Sequence, residues 1–376
     1  MKNSREIALD PQLKKDSLST DEFSSFLPIL NLKFVSKCIE KVVATQLDQH
    51  ITRNNLGESL QSAFKKHHST ETALVKVQNY ILNAIDNQNS VILVLLDLSA
   101  AFDTIDHEIL LHKLSSGYGI TGKAHKWFKS YLTERTLMVH VSDGQSTKRI
   151  LRSGVPQGSI LGPMLFSLYI APLGDLMRSL GIEFHIYADD TQLYITFKSA
   201  DPDKLIAAKF KIEKCVRILD KWLTMNKLKL NSDKTEILVL SARHRPCPSF
   251  SSITICDDVI GLSPKAGNIG VIMDSNLTME VQVATICKSG FYYLRKINKI
   301  REYLSLKSAE ILVHALVTSR LDFGNALLYG LSNTLLVRIQ KVQKGFKKGS
   351  HNTSIVAITL VADQGKNCIQ DTVNHL

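Results

Sequence analysis

Three aspartates in two separate segments are the residues of this chain best suited to metal-dependent chemistry. Asp97 ends the apolar run "SVILVLLDLS" (90–99), and Asp189 and Asp190 lie together in "FHIYADDTQLY" (184–194). The apolar runs predict a buried strand ending at Asp97 and two strands that meet at the paired aspartates. Aspartate is also common in tight turns for its own sake, because its side chain caps nearby backbone N–H groups. Both interpretations of the pair are open at this point.

The two segments together indicate one kind of chemistry. If they share a sheet, their carboxylates meet at one edge, where they repel each other unless cations neutralise them. Carboxylate oxygens suit Mg²⁺, and two such ions about 4 Å apart can assist the in-line displacement of a phosphoryl group. The net charge of +11 and the pI near 9.2 favour an acidic polymer as partner. These observations predict a polymerase.

The rest of the chain supplies the elements that must position these residues. Ser69 is expected to open a helix with a capping box, and Asp106 to cap another after a turn at Asp103. A hairpin is expected to turn at Asp143-Gly144. Helices are predicted over 35–51, 70–86, 106–116, 122–132, 159–178, 203–225, 280–300, 306–318 and 331–344, and further strands over 235–240 and 268–274. This order predicts an α+β domain with a mainly antiparallel sheet, followed by a helical unit.

Composition excludes several other classes. Hydrophobic residues make up 44% and charged residues 22% of the chain, as in ordinary globular proteins. The six cysteines fit no zinc pattern and are expected to be free thiols in a reducing compartment. No apolar segment resembles a secretory signal, and the longest apolar run, 160–173, is too short to span a bilayer. We therefore expect an intracellular protein, in the nucleus or cytoplasm, with no membrane partner.

Four strings in fixed order carry a family resemblance. They are "LLDLSAAFDTIDH" (95–107), "GVPQGSILGPMLFSLYI" (154–170), "YADD" (187–190) and "LNSDKTEILVL" (230–240). Together they resemble motifs A to D of reverse transcriptases, most closely those of non-LTR retrotransposons. The resemblance extends from about Pro11 to Gln343. It implies a right-hand polymerase whose fingers and antiparallel palm sheet are followed by a helical thumb.

The resemblance also implies a division of the chain. Residues 1–30 are expected to be an irregular segment, 31–250 the fingers and palm, and 251–344 a thumb-like helical region. Residues 345–376 depart from the family and are expected to form an aberrant, disordered tail. Full-length elements of this kind carry an endonuclease ahead of the polymerase, so we expect a truncated copy.

The implied activity is RNA-directed DNA synthesis: addition of dNTPs to a primer 3′-OH on an RNA template, with two Mg²⁺ ions that Mn²⁺ can replace. Asp97 and Asp189 would bind both metals, with Asp190 as a supporting carboxylate and the backbone carbonyl of Leu98 as a further ligand. The implied partners are an RNA template, a DNA primer and dNTPs. No stable protein partner is expected.

Further residues take roles from the resemblance, each with a plainer alternative. Phe102 falls at the steric gate against the ribose 2′-OH, or is simply core. Gln157 would line the nucleotide and template, with Gly154 and Gly158 allowing close backbone approach, although Pro-Gln-Gly is also an ordinary turn. Lys234 is the candidate general acid for pyrophosphate, or a solvated surface lysine.

Two departures from the family keep a second function open. Leu27 and Leu30 stand where the family usually has Arg and Ser, and the pattern stops near Gln343. The alternative is an inactive remnant that binds RNA or DNA through basic faces of the helices at 203–225 and 280–300. A maturase-like splicing factor is disfavoured, because no additional RNA-binding domain follows the thumb-like region.

Overall fold

Helices and antiparallel strands share this chain, and the predicted α+β class is confirmed. The computed structural model describes residues 6–13, 26–31, 34–141, 144–156, 158–198, 201–242, 250–255 and 258–347. The helices are α1 (Phe34–Arg53), α2 (Thr70–Asp86), α3 (His107–Ser116), α4 (Gly122–Leu132), α5 (Gly162–Ile170), α6 (Pro172–Ser179), α7 (Pro202–Met225), α8 (Glu280–Lys299), α9 (Leu306–Val313), α10 (Ser319–Asp322) and α11 (Asn333–Lys347). The strands are β1 (Glu6–Leu13), β2 (Phe26–Asn31), β3 (Asn89–Leu96), β4 (Thr136–Val141), β5 (Gly144–Gln145), β6 (Arg149–Ile150), β7 (Glu183–Tyr187), β8 (Asp190–Lys198), β9 (Glu236–Leu240), β10 (Ser252–Ile255), β11 (Asp258–Gly261), β12 (Lys265–Asn268) and β13 (Val271–Asp274).

Contacts divide the chain into two units, each built from separate stretches of sequence. The first contains Met1–Lys66, Leu96–Thr191 and Lys214–Lys234, and the second contains His67–Leu95, Gln192–Glu213 and Thr235–Leu376. This division does not coincide with the predicted boundary near residue 250. The assignment of fingers, palm and thumb therefore stays a prediction, and residues 348–376 of the expected tail lie outside the described residues.

Strand β3 is the central strand that its apolar sequence predicted. The sheet has the order β7-β8-β3-β9, and β3 pairs antiparallel with β9 from Val91 opposite Leu240 to Leu95 opposite Glu236. In the second unit, alternate residues of β3 pack against Val77 and Ile81 of α2. The predicted capping box at Ser69 opens α2 and fixes where this packing helix begins.

The N-terminal region is more regular than its polar sequence suggested. The prediction of an irregular segment over 1–30 is wrong for β1 and β2, which pair antiparallel, while β1 also pairs in parallel with β4. These strands are held by backbone pairing with distant strands. The sequence of residues 1–30 has no local alternation of apolar and polar residues from which they could be predicted. Strands β4 and β5 form the predicted hairpin with Val141 opposite Gly144, and Asp143 lies outside the described residues.

Three other elements differ from the prediction. The helix expected over 159–178 is two helices, because Pro172 has no backbone N–H with which to continue α5 and instead begins α6. The strand expected over 268–274 is the hairpin β12–β13, turning at Ile269 (φ 43°) and Gly270 (φ 84°). The helix expected over 306–318 is α9 followed by a π-helical turn, His314–Thr318. None of the helices in the described part of the chain is long and apolar enough to cross a membrane.

Candidate active site

Asp97 follows directly on β3, where the backbone continues to pair with a distant segment of the first unit. Ser99 N donates to Lys229 O at 2.9 Å, and Asn231 N donates to Asp97 O at 2.9 Å. Between these bonds, Leu98 forms an antiparallel bridge with Leu230. These bonds hold the backbone at Asp97 and Leu98 against the beginning of the segment "LNSDK" (230–234).

Two side chains from that string contact the Asp97 carboxylate. Asn231 Nδ2 donates to Asp97 Oδ2 at 3.2 Å, and Lys234 Nζ donates to the same oxygen at 3.3 Å. Lys234 ends a short 3₁₀ turn and its side chain is 67% exposed, against 22% for Asp97. The sequence pointed to Lys234 but not to Asn231, whose only signal was its place in the same string.

The hairpin β7–β8 carries the other two aspartates as predicted. Strand β7 ends at Tyr187, Asp190 begins β8, and Asp189 lies in the connection after Ala188. Both carboxylates are partly buried. Ala188 has a φ of 55°, a left-handed conformation that is uncommon for any residue other than glycine. The hairpin tip therefore holds two acidic side chains on a sterically unfavourable backbone turn.

The three aspartates share one electrostatic environment. Burial raises the pKa of Asp189, and the charge of Asp97 raises it further, whereas Lys234 lowers it. The pKa of Asp190 is raised to about 6 by burial and then by Asp189 and Asp97, again against Lys234. The charge of Asp97 thus raises the pKa of both Asp189 and Asp190, and the charge of Asp189 raises that of Asp190, a repulsion that a bound cation would relieve.

Asp190→Asn is expected to stabilise the metal-free protein at pH 8 and to have almost no effect at pH 4. Because the pKa of Asp190 is 3.8 in a free side chain and about 6 in the folded chain, the folded state binds more protons between these values. Its stability therefore falls as pH rises through this range. Asparagine avoids that loss, which is about 1–2 kcal/mol after allowance for solvent screening. Urea unfolding in EDTA measures the difference, and an equal difference at both pH values would contradict the electrostatic cause.

The donor chemistry of these residues fits a hard divalent cation, since all three side chains are carboxylates that repel one another. Among the described residues, however, no three His, Cys, Asp or Glu side chains are gathered as a metal-binding group. Binding of a metal by Asp97, Asp189 and Asp190 is therefore a proposal rather than an observed arrangement.

Phe102 lies in the loop after Asp97, and both of its predicted roles stay open. Its ring stacks on that of the buried Phe166, with 4.6 Å between the ring centroids and 27° between the planes. The Phe102 side chain nevertheless remains partly exposed. Packing on Phe166 fixes the ring, and the exposed part is free to contact a ligand.

The glycine-containing turn after residue 153 is bonded to the same loop. Gly154 N donates to Ile105 O at 2.8 Å, and Val155 N donates to Phe102 O at 2.9 Å. A Cβ on Gly154 would lie 2.9 Å from Asp103 O, and the φ of 85° also favours glycine. Gly158 has a φ of 86°, while Gln157 lies outside the described residues.

Glu40 holds the other end of this turn and was missed in the sequence. Its side chain is on α1 and the residue is 1% exposed. Glu40 Oε2 accepts from Ile160 N at 2.8 Å and from Leu161 N at 3.4 Å, just ahead of α5, whose N-cap residue offers no side-chain bond of its own. Its one sequence signal was an acidic residue among the apolar positions of a helix.

The basic residues singled out on α7 and α8 mostly face solvent. On α8, Lys288, Arg295, Lys296 and Lys299 are exposed, whereas Arg301, just beyond it, donates to Leu304 O at 3.0 Å. On α7 the exposed set is Lys204, Lys211, Lys214, Arg217 and Lys221, and Lys209 is half-buried. Exposure is what either a nucleic-acid surface or a solvated helix face requires, so both interpretations stay open.

The chain is similar to known proteins of one family. A family model described as reverse transcriptase (RNA-dependent DNA polymerase) matches residues 13–278. Over 274 residues the chain is 28% identical to a probable RNA-directed DNA polymerase from transposon BS of Drosophila melanogaster, covering 68% of this chain and 28% of that protein. Over 333 residues it is 24% identical to the RNA-directed DNA polymerase from mobile element jockey of Drosophila funebris, covering 86% and 35%.

The chain thus spans 28% and 35% of the lengths of these two curated relatives. Among solved structures, a telomerase from Candida tropicalis in complex with a TWJ fragment of telomeric RNA is similar over 99% of this chain and 62% of that chain. The TM-score is 0.49 and the sequence identity is 11%.

Proposed function

This chain belongs to the reverse transcriptase (RNA-dependent DNA polymerase) family, and on that premise we propose that it adds dNTPs to a primer 3′-OH on an RNA template. Its resemblance to the enzymes of non-LTR retrotransposons is confirmed by the same match and by the relatives. The observation that carries the proposal is the placement of the three aspartates in one unit, with Asp97 directly after β3 and Asp189 and Asp190 at the junction of β7 and β8. The proposed partners are an RNA template, a DNA primer and dNTPs, in the nucleus or cytoplasm.

Asp97 and Asp189 are the proposed ligands of two Mg²⁺ ions, with Asp190 in support and the Leu98 carbonyl as a further ligand; Mn²⁺ is the expected substitute. The chemistry that such ions supply is neutralisation of phosphate charge and activation of the attacking hydroxyl. The protein contributes a fixed backbone at Asp97 and Leu98, through the pairing of residues 97–99 with 229–231.

Lys234 is the proposed source of the proton for pyrophosphate. Its ammonium lies 3.3 Å from Asp97 Oδ2, so it is held beside the metal ligands while its side chain remains accessible. Gln157 and Gly158 are the proposed contacts with the incoming nucleotide and template. The bonds of Gly154 and Val155 to the Phe102 loop support a shared nucleotide pocket.

Phe102→Val is expected to admit ribonucleotides. The smaller side chain removes the ring from the space beside the ribose 2′-OH, so the preference for dNTPs over rNTPs should fall about 10–100-fold, while dNTP incorporation changes much less. Single-nucleotide incorporation with dGTP and GTP at matched concentrations measures the ratio. Preserved discrimination in the variant would assign Phe102 to the core alone.

The test of the proposed function is extension of a labelled DNA primer on an RNA template with dNTPs and Mg²⁺. Template-directed extension that stops when EDTA is added, and resumes with excess Mg²⁺, is the expected result. A template-free tailing reaction, or no extension over a range of Mg²⁺ and Mn²⁺ concentrations, would contradict the proposal.

The alternative function is RNA or DNA binding without catalysis. It is favoured by the exposed basic residues of α7 and α8, and by Leu27, whose side chain lies outside the described part of the structure. RNA binding that weakens steeply with salt, in a protein that incorporates no nucleotide, would support this alternative.

A further inference from the structure

Gln61 contacts the hairpin tip through both ends of its side-chain amide. Ala188 N donates to Gln61 Oε1 at 3.1 Å, and Gln61 Nε2 donates to Ala188 O at 3.4 Å. Ala63 N also donates to Gln61 Oε1, at 3.0 Å, and Gln61 is 5% exposed. The buried Gln61 side chain, from a loop distant in sequence, thus bonds both the N–H and the carbonyl of Ala188, the residue immediately before Asp189.

Ala188 has a backbone conformation that needs support from surrounding contacts. Ala188 has a φ of 55°, where its Cβ approaches the following carbonyl oxygen. Such a conformation persists only when surrounding contacts hold it. Because Ala188 lies between the end of β7 and Asp189, its φ sets the direction in which the chain leaves the strand.

The loop that carries Gln61 is anchored by bonds that do not involve its side chain. Ser62 N donates to Ile186 O at 3.0 Å, and Ile186 N donates to Leu60 O at 2.9 Å. Ser62 Oγ and His185 Nε2 are 2.9 Å apart in a further buried hydrogen bond. Removal of the Gln61 side chain should therefore leave the loop docked on β7, and the bonds lost are the two to Ala188 and the one from Ala63 N.

We propose that Gln61 is a positioning residue that holds Ala188 in its left-handed conformation and thereby aims the Asp189 carboxylate. The consequence for metal binding rests on the proposed function, since it takes Asp189 as a ligand. The two hydrogen bonds between Gln61 and Ala188 hold this conformation, and the unfavourable φ of Ala188 is the reason that such support is required.

The test uses the full chain and Mn²⁺ alone as the probe. Gln61→Ala should raise the dissociation constant for Mn²⁺ at least about tenfold, the usual scale for residues that orient metal ligands. Adding Ala188→Gly to that variant should bring the constant back to within about threefold of the Ala188→Gly protein, because glycine adopts this φ without a Cβ clash. Ser62→Ala, which removes a neighbouring buried bond, should stay within about threefold of the unchanged protein.

Hydrogen exchange in the metal-free protein supplies a second readout. The amide of residue 188 should exchange about tenfold faster in Gln61→Ala, and it should stay fast in the double variant, since its acceptor is gone in both. If Gln61→Ala does not fold, Gln61→Glu keeps an acceptor for Ala188 N–H and removes the donor to Ala188 O, and it should show an intermediate loss of Mn²⁺ affinity.

Several outcomes would overturn the inference: unchanged Mn²⁺ affinity in Gln61→Ala, an equal loss in Ser62→Ala, no recovery in the double variant, or no Mn²⁺ binding by the unchanged protein. None of these measurements needs nucleotide incorporation. A protein that shows the expected Mn²⁺ pattern yet extends no primer would refute the polymerase proposal and leave the role of Gln61 standing.

Discussion

Asp189→Asn is expected to lower template-directed nucleotide incorporation at least about 10³-fold, because an amide replaces a charged oxygen ligand at the proposed metal site. RNA affinity at fixed salt should change less than about threefold, because contacts between basic residues and phosphates supply most of the free energy of RNA binding. Primer extension and RNA binding, measured on the same preparations, check both statements.

The structure offers a control for that variant and a test of its folding. Asp48→Asn changes an exposed carboxylate, which pairs with Lys66 at 2.8 Å, and should leave incorporation unchanged. Asp189→Asn itself should not be destabilised in EDTA, because burial raises the pKa of the carboxyl that it removes. Incorporation within tenfold of the unchanged protein would exclude Asp189 as an essential ligand.

Gly174→Ala is expected to destabilise the first unit by about 2–4 kcal/mol, although alanine is the better helix former. A Cβ at Gly174 would overlap the Glu58 carboxylate, which packs against α6. The Glu58 side chain is 2% exposed and accepts from Arg178 Nη1 at 2.9 Å, Arg178 Nη2 at 2.8 Å and Leu60 N at 2.9 Å. Displacing Glu58 separates a buried charge from its partners, and urea unfolding measures the cost.

Two further variants separate steric displacement from a general effect of the substitution. A Cβ on Gly267 meets nothing within 4 Å, so Gly267→Ala should change stability by less than about 0.5 kcal/mol. In Glu58→Ala the obstructing carboxylate is absent, and adding Gly174→Ala should then cost almost nothing. Additive losses in the double variant would contradict the proposed overlap.

Local sequence determined most of the regular elements. The apolar run 90–99 became β3, Ser69 capped α2, and Asp106 caps α3 through bonds to Glu108 N and Ile109 N. These features depend on residues a few positions apart, whose periodicity and capping chemistry can be read directly. Two of the failures have local causes too: Pro172 ended a helix that the apolar pattern alone would have continued, and Gly270 marked a turn inside an expected strand.

The sequence also pointed to the candidate site: Asp97 directly follows a strand, Asp190 begins one, and Asp189 lies in the connection between two strands. Which side chains contact the site and the turns beside it was decided by tertiary structure alone. Asn231 reaches Asp97 across 134 positions, Gln61 reaches Ala188 across 127, and Glu40 reaches Ile160 across 120. The sequence by itself therefore determined which carboxylates stand at strand ends, because periodicity is local. Only the folded chain decided what holds them there, because a hydrogen bond between distant segments leaves no spacing pattern in either one.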